Sequence, residues 1–207
     1  MIDSEEYKER FNEIMSKVEC NFIPVTIPPN IVDKCNKFAK DMQVAKSNEI
    51  QHQKDDGKRN LRQSGGKITE AAVANWLWCD NSVDYTIGDS SNYVGPDLKI
   101  KASFGMVDLY IKSSAYGTFP LVKPNPSSSE IICLRKYEGK KIVVLICGLA
   151  TVDVLKQYTS KDYVKSPNVN PKLKIAFYGY KHLHFFKNRA ELGVLIKKFG
   201  HYRNYRI

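Results

Sequence analysis

The chain predicts an α/β fold, a mixed β-sheet core flanked by helices over residues 46–207, preceded by an N-terminal helical extension over residues 1–45. Three observations carry this. Apolar residues recur at helical spacing in residues 4–18, 30–43 and 67–79. Two apolar runs of strand length, 130–136 and 141–147, flank a Glu138-Gly139 turn and read as a hairpin. Between helices and hairpin, residues 95–114 form two strand-like segments about Ser103-Phe104-Gly105, the second alternating apolar and polar side chains.

The elements follow in order. In residues 4–18, Phe11, Ile14, Met15 and Val18 share a stripe, and Glu5 and Glu6 suit the N-terminal dipole. A proline-marked connection over 23–29 leads to a second helix with Ile31, Cys35, Phe38 and Met42 on one side. Residues 44–66 are polar and end in Gly65-Gly66, a solvated loop or a segment that orders on a phosphate backbone. Ile68, Ala71, Ala72, Val73, Trp76 and Leu77 give the next helix, 67–79, a broad apolar face. Residues 82–87 are expected as a strand and 88–92 as its turn. After the central pair, 116–129 is an irregular loop. The strand at 141–147 is apolar almost throughout, as suits one covered on both faces. Thr151 caps a short helix, 173–178 is a strand, and a capped helix runs over 188–199.

The 207 residues are 43% hydrophobic and 26% charged, the composition of a globular rather than a disordered chain. A formal charge of +10 favours a polyanionic partner, because a positive field speeds encounter and phosphate contacts release counterions. The five cysteines are irregularly spaced, without a Cys-x-x-Cys pair, which argues against a disulfide framework or a zinc ribbon. The acidic start lacks the regions of a signal peptide, and no apolar run approaches the roughly 18 residues of a membrane span. A cytoplasmic protein without membrane association is expected. No glycine-rich phosphate loop or Gly-x-Ser-x-Gly elbow occurs, so nucleotide hydrolysis and acyl transfer have no support, and no small-molecule cofactor is expected. His182 and His184 fall on one face of an extended segment but have no nearby third zinc ligand.

The chemistry concentrates in residues 95–114. Val107, Leu109 and Ile111 share one face of the second strand, and Asp108, Tyr110 and Lys112 the other. A proline-led acid, Asp97, followed by a strand carrying an acid and a lysine, has the parts of a metal-dependent phosphodiester-cleaving site. Carboxylates hold a hard divalent cation, and a lysine orients water or steadies phosphate charge. Salt bridging across a sheet face is the structural alternative. Glu70 borders the apolar face of its helix, where a carboxylate needs a partner, or serves as a first-turn acid favoured by the dipole. Lys58, Arg59 and Arg62 can follow a phosphate backbone. From Lys181 onward seven Lys or Arg face one acid, and Arg203 and Arg206 alternate with tyrosines, a pattern suited to phosphate contact and base stacking or to a solvated tail.

Helix with Glu70, strand, strand opened by Pro96-Asp97, strand with Asp108 and Lys112, then strand, strand and helix: this order resembles the PD-(D/E)xK, or restriction-endonuclease-like, nuclease superfamily over about residues 67–155. The resemblance implies a restriction-endonuclease-like core and divalent-metal-dependent cleavage of DNA, or less often RNA. Asp97 matches the aspartate of the first half-motif, Lys112 the lysine, and Glu70 the helix glutamate of many members. The sequence departs from the pattern at Tyr110, which stands where the second acid belongs; Asp108 lies four residues before the lysine, about 13 Å along the strand. Two further registrations stay open: Asp97-Leu98-Lys99 as the acid-x-lysine half with Asp84 or Asp89 before it, or a degenerate site in a DNA-binding module.

On the leading registration, the resemblance implies that Asp97, Asp108 and Glu70 ligate Mg2+, with Mn2+ as a substitute. Lys112 positions the nucleophile or steadies the transition state, and Tyr110 donates to a phosphate oxygen. Lys58, Arg59, Arg62, Ser113, Arg203 and Arg206 join Tyr110 in contacting double-stranded DNA. The expected activity is that of an endonuclease, restriction of duplex DNA before junction cleavage, and cutting both strands of a symmetric site favours a homodimer.

Overall fold

The computed structural model describes residues 3–45, 56–87, 95–139, 141–165, 169–170 and 172–199, with backbone alone at 56–59. Its frame is a five-stranded mixed sheet. In chain order the strands are β1 (Ile23–Ile27), β2 (Leu98–Ala102), β3 (Gly105–Ala115), β5 (Glu130–Glu138) and β6 (Lys141–Ala150). They lie side by side as β1-β6-β5-β3-β2, with β3 parallel to β5 and the other neighbours antiparallel. A smaller antiparallel sheet joins β4 (Leu121–Val122), β8 (Ile175–Phe177) and β7 (Thr159–Ser160).

Helices cover both faces of the larger sheet. α1 (Ser4–Val18) starts at Asp3, whose carboxylate accepts the Glu5 and Glu6 N–H groups at 2.8 and 2.9 Å. It buries Tyr7, Phe11, Ile14, Met15 and Val18 against Ile132, Leu134, Leu145 and Cys147. α2 (Pro29–Ala45), α3 (Asp56–Leu77) and α5 (Arg189–Phe199) close the opposite face over Leu109, Ile111, Ile131 and Cys133. α4 (Val152–Gln157) follows the Thr151 cap, whose hydroxyl accepts from Val154 N–H.

Four local expectations are corrected. The proline-marked connection after α1 is the strand β1, which pairs with β6 from Ile23↔Ile146 to Ile27↔Ile142 and builds residues 3–45 into the sheet. Pro24 is tolerated because β1 is an edge. Residues 83–87 form no strand: Tyr85 instead packs on α2, with its hydroxyl 3.9 Å from Cys35 Sγ and Lys34 Nζ 4.0 Å from its ring centre. α3 begins eleven residues earlier than the periodicity indicates and contains Gly65-Gly66. A Cβ at Gly65 would stand 2.8 Å from the Arg135 guanidinium carbon, so this glycine marks a close approach rather than a loop. Finally, His182 stacks on Tyr158 at 3.6 Å and His184 on Phe199 at 4.6 Å, so the two histidines have separate partners.

On β6 the register slips by one residue, from Ile132↔Gly148 to Cys133↔Ile146. Gly148 adopts φ +145°, and a Cβ there would meet the His184 carbonyl oxygen at 3.0 Å. The next residue, Leu149, exchanges two backbone hydrogen bonds with His184, at 3.0 and 2.9 Å.

Candidate active site

The site forms where β3 changes partners. Its antiparallel pairing with β2 ends at Leu98↔Leu109, and its parallel pairing with β5 starts one residue on, at Tyr110↔Glu130. Asp97 stands in this fork. Its N–H donates to the Leu109 carbonyl at 2.9 Å, and its Oδ2 accepts the Ile111 N–H at 2.6 Å. A carboxylate thus takes the place of the backbone acceptor that β2 would otherwise supply, which fixes its orientation and leaves Oδ1 for another partner.

The neighbouring polar groups come from three other elements. Lys112, half-buried on β3, sets its Nζ 3.9 Å from Glu130 Oε1 and 3.4 Å from the Ile111 carbonyl. Glu130, the first residue of β5, is 5% exposed, and its Oε2 is buried without a hydrogen-bond partner. Burial holds its carboxyl above the ordinary range; Lys112 and Lys123 offset this while Asp97 adds to it. Glu70, on α3, pairs with Lys67, whose ammonium also donates to the Asp84 carbonyl at 2.8 Å. Burial pushes Glu70 up to about 7, Lys67 pulls it down, the Asp97 charge raises it and Lys112 lowers it. Glu70, Asp97, Lys112 and Glu130 therefore share one electrostatic neighbourhood.

Cations rim this neighbourhood. Lys174, just before β8, is an exposed residue. Its ammonium is nevertheless held below the usual lysine range, by the surrounding protein mass and then by the positive charges of Arg62 and Lys112. Cations that crowd one another make a natural seat for a polyanion.

Of the residues singled out in the sequence, the structure gathers Glu70, Asp97 and Lys112. Asp108 lies two residues before Tyr110 and faces Lys99 of β2 across the ladder. Tyr110 is half-buried opposite Glu130. Ser113 points under α3, where its hydroxyl accepts from Arg135, which also donates to the Gly65 carbonyl and to Thr69 Oγ1. Arg62 is exposed on α3. Lys58 and Arg59 lie on α3 without described side chains, and Asp89, Arg203 and Arg206 lie outside the described residues. Glu130 was not legible as a site residue, since it opens an apolar strand after three serines. Its only sequence signal is a lone acid at the head of a run that is otherwise buried.

Among the described residues no three His, Cys, Asp or Glu side chains form a ready metal-ligating group. The donor chemistry nonetheless suits a hard cation. Mg2+ takes one or two carboxylates and completes its shell with water and phosphate, and here one carboxylate oxygen is buried without a partner beside a second, oriented carboxylate. A cleft of about 950 Å3 opens elsewhere, between Trp78, Phe104 and Arg189, and none of the four site residues lines it.

Burial of Glu70 has a thermodynamic signature. With a folded value near 7 against roughly 4.3 unfolded, the unfolded state loses this proton first, so stability falls as pH rises between the two. Glu70→Gln is expected to raise the melting temperature by several degrees at pH 8 in chelator, a gain of up to about 3 kcal/mol. The difference should vanish near pH 4, where both states hold the proton. Thermal melts of the two proteins across this range check it.

No described helix is long and apolar enough to cross a membrane. No family model, curated protein or solved structure matches the chain.

Proposed function

We propose that this protein is a divalent-cation-dependent endonuclease of the restriction-endonuclease-like kind, acting on double-stranded DNA. The observation that carries the reading is the fork itself. A proline-preceded aspartate is locked on the backbone of β3, a lysine projects one residue beyond, and a helix delivers a glutamate whose charge state depends on both. The chain's charge of +10 supplies the field for a polyanion.

Asp97 and Glu70 would hold Mg2+, or Mn2+ in its place. The ion supplies charge neutralisation at the scissile phosphate and lowers the cost of deprotonating water. Asp97 is preorganised by its bond to Ile111 N–H. Lys112 brings an ammonium to the reacting phosphoryl, where it compensates charge that builds in the transition state. Arg62, Lys123 and Lys174 draw the DNA backbone toward the fork. Sequence-specific double-strand cutting would be served by a homodimer on a symmetric site.

A second reading, a DNA-binding module without catalysis, is favoured by Tyr110 in the acid position and Asp108 out on the Lys99 rung. Conversion of supercoiled plasmid to nicked and linear forms separates them. Cutting that needs Mg2+ or Mn2+, stops with chelator and is lost in Lys112→Ala supports the nuclease. Salt-sensitive duplex binding without cutting of plasmid, single strands or branched DNA supports the module.

A further inference from the structure

Glu130 is anomalous for a structural residue. A carboxylate buried this deeply is normally matched by a short ion pair or by several donors, because desolvating an unpaired charge is costly. Glu130 has a lysine at 3.9 Å, beyond hydrogen-bond length, and an Oε2 sealed from solvent without a donor. Its position is not arbitrary either. The parallel register places it on the rung of Tyr110, the first rung after β3 leaves β2, and the same register puts Lys112 on the rung of Ile132, one side-chain repeat further along. On the other side of β3, Asp97 continues the antiparallel register to the level of Tyr110, since Leu98 is paired with Leu109. Asp97, Tyr110 and Glu130 thus occupy one level across three neighbouring segments.

Resting on the cation-dependent reading above, we infer that Glu130 is a cation-ligating residue of the same site as Asp97, so that the second carboxylate comes from β5 rather than from β3. This accounts for three facts together. The buried oxygen without a donor is the atom a cation would take. The loose contact with Lys112 leaves the lysine free to turn toward a phosphate. Tyr110 costs the site nothing, because the acid its position lacks is supplied from across the ladder. Asp108, two residues away and facing Lys99, is then a sheet-surface acid.

The inference is tested by direct Mn2+ binding to the cation-free protein without DNA, read from the loss of the free-ion electron paramagnetic resonance signal. The proteins compared are wild type, Glu130→Gln, Asp97→Asn and, as a remote control, Glu138→Gln at the exposed β5–β6 turn. Glutamine keeps the shape of Glu130 and removes a buried charge, so the variant should fold; circular dichroism and a melt confirm it. The expected result is a rise of about tenfold or more in the Mn2+ dissociation constant for both Glu130→Gln and Asp97→Asn, with Glu138→Gln unchanged. Wild-type affinity in Glu130→Gln together with a loss in Asp97→Asn overturns this inference and leaves the nuclease reading standing. Absence of Mn2+ binding by the wild type at millimolar ion overturns both.

Discussion

Lys112→Ala should lower cation-dependent cleavage by roughly 10^2–10^4-fold, the range for removing one positioned charge that acts on the transition state. Binding of uncut duplex should suffer far less. Lys112 is one cation among Arg62, Lys123 and Lys174 at the fork, so its loss should reduce the salt dependence of binding by about one counterion. The kinetic signature is therefore a fall in kcat with a small change in affinity, read from single-turnover cutting beside binding measured without a catalytic cation. Lys112→Arg should not restore the rate: a planar guanidinium with its charge spread over three nitrogens cannot put a compact charge at the same point between Glu130 and the Ile111 carbonyl. A uniform loss of affinity with unchanged single-turnover rate would remove Lys112 from the chemistry.

Gly148→Ala is expected to destabilise the protein strongly for one added carbon atom. At φ +145° a side chain is strained in itself, and the new Cβ would press on the His184 carbonyl and on Leu183 Cβ at 3.0 and 3.1 Å. The obstacle is backbone, held by the paired bonds between Leu149 and His184, so it cannot swing aside as a long side chain would. Strain and overpacking together should cost on the order of 3 kcal/mol, seen as a lower denaturant midpoint. Because Gly148 shares a ladder level with Ile132, which in turn faces Lys112, cleavage should fall alongside stability. An alanine variant as stable as wild type would show that β6 can shed its bulge.

How much of this was legible in the sequence differs from residue to residue, for physical reasons. Alternation along β3 exposes Lys112 and the core stripe of Val107, Leu109 and Ile111 directly, since strand periodicity is a local property. Asp97 is visible through its proline and the strand that follows. Glu130 is not, because its role depends on a parallel pairing reached through residues 116–129, and register across such a connection leaves no local trace. The start of α3 was obscured by Gly65-Gly66, of which Gly65 owes its place to Arg135, 70 residues away. Val83, Tyr85 and Ile87 alternate like a strand, yet Val83 and Tyr85 pack among the side chains over the α2–α3 face. The spacing of the acids alone favoured Asp108 as second ligand, a choice the pairing with Lys99 does not support.

Arg135 ties the two halves of the site into one mechanical part. Its guanidinium, buried between α3 and the sheet, grips the Gly65 carbonyl and the Thr69 hydroxyl on the turn before Glu70, and the Ser113 hydroxyl next to Lys112. Helix and strand are thereby pinned one residue away from each working group. Glu70 and Lys112 are thereby held at a constant separation, and if the protein cuts DNA as proposed, this pair is a stationary jaw on which a duplex would have to seat itself.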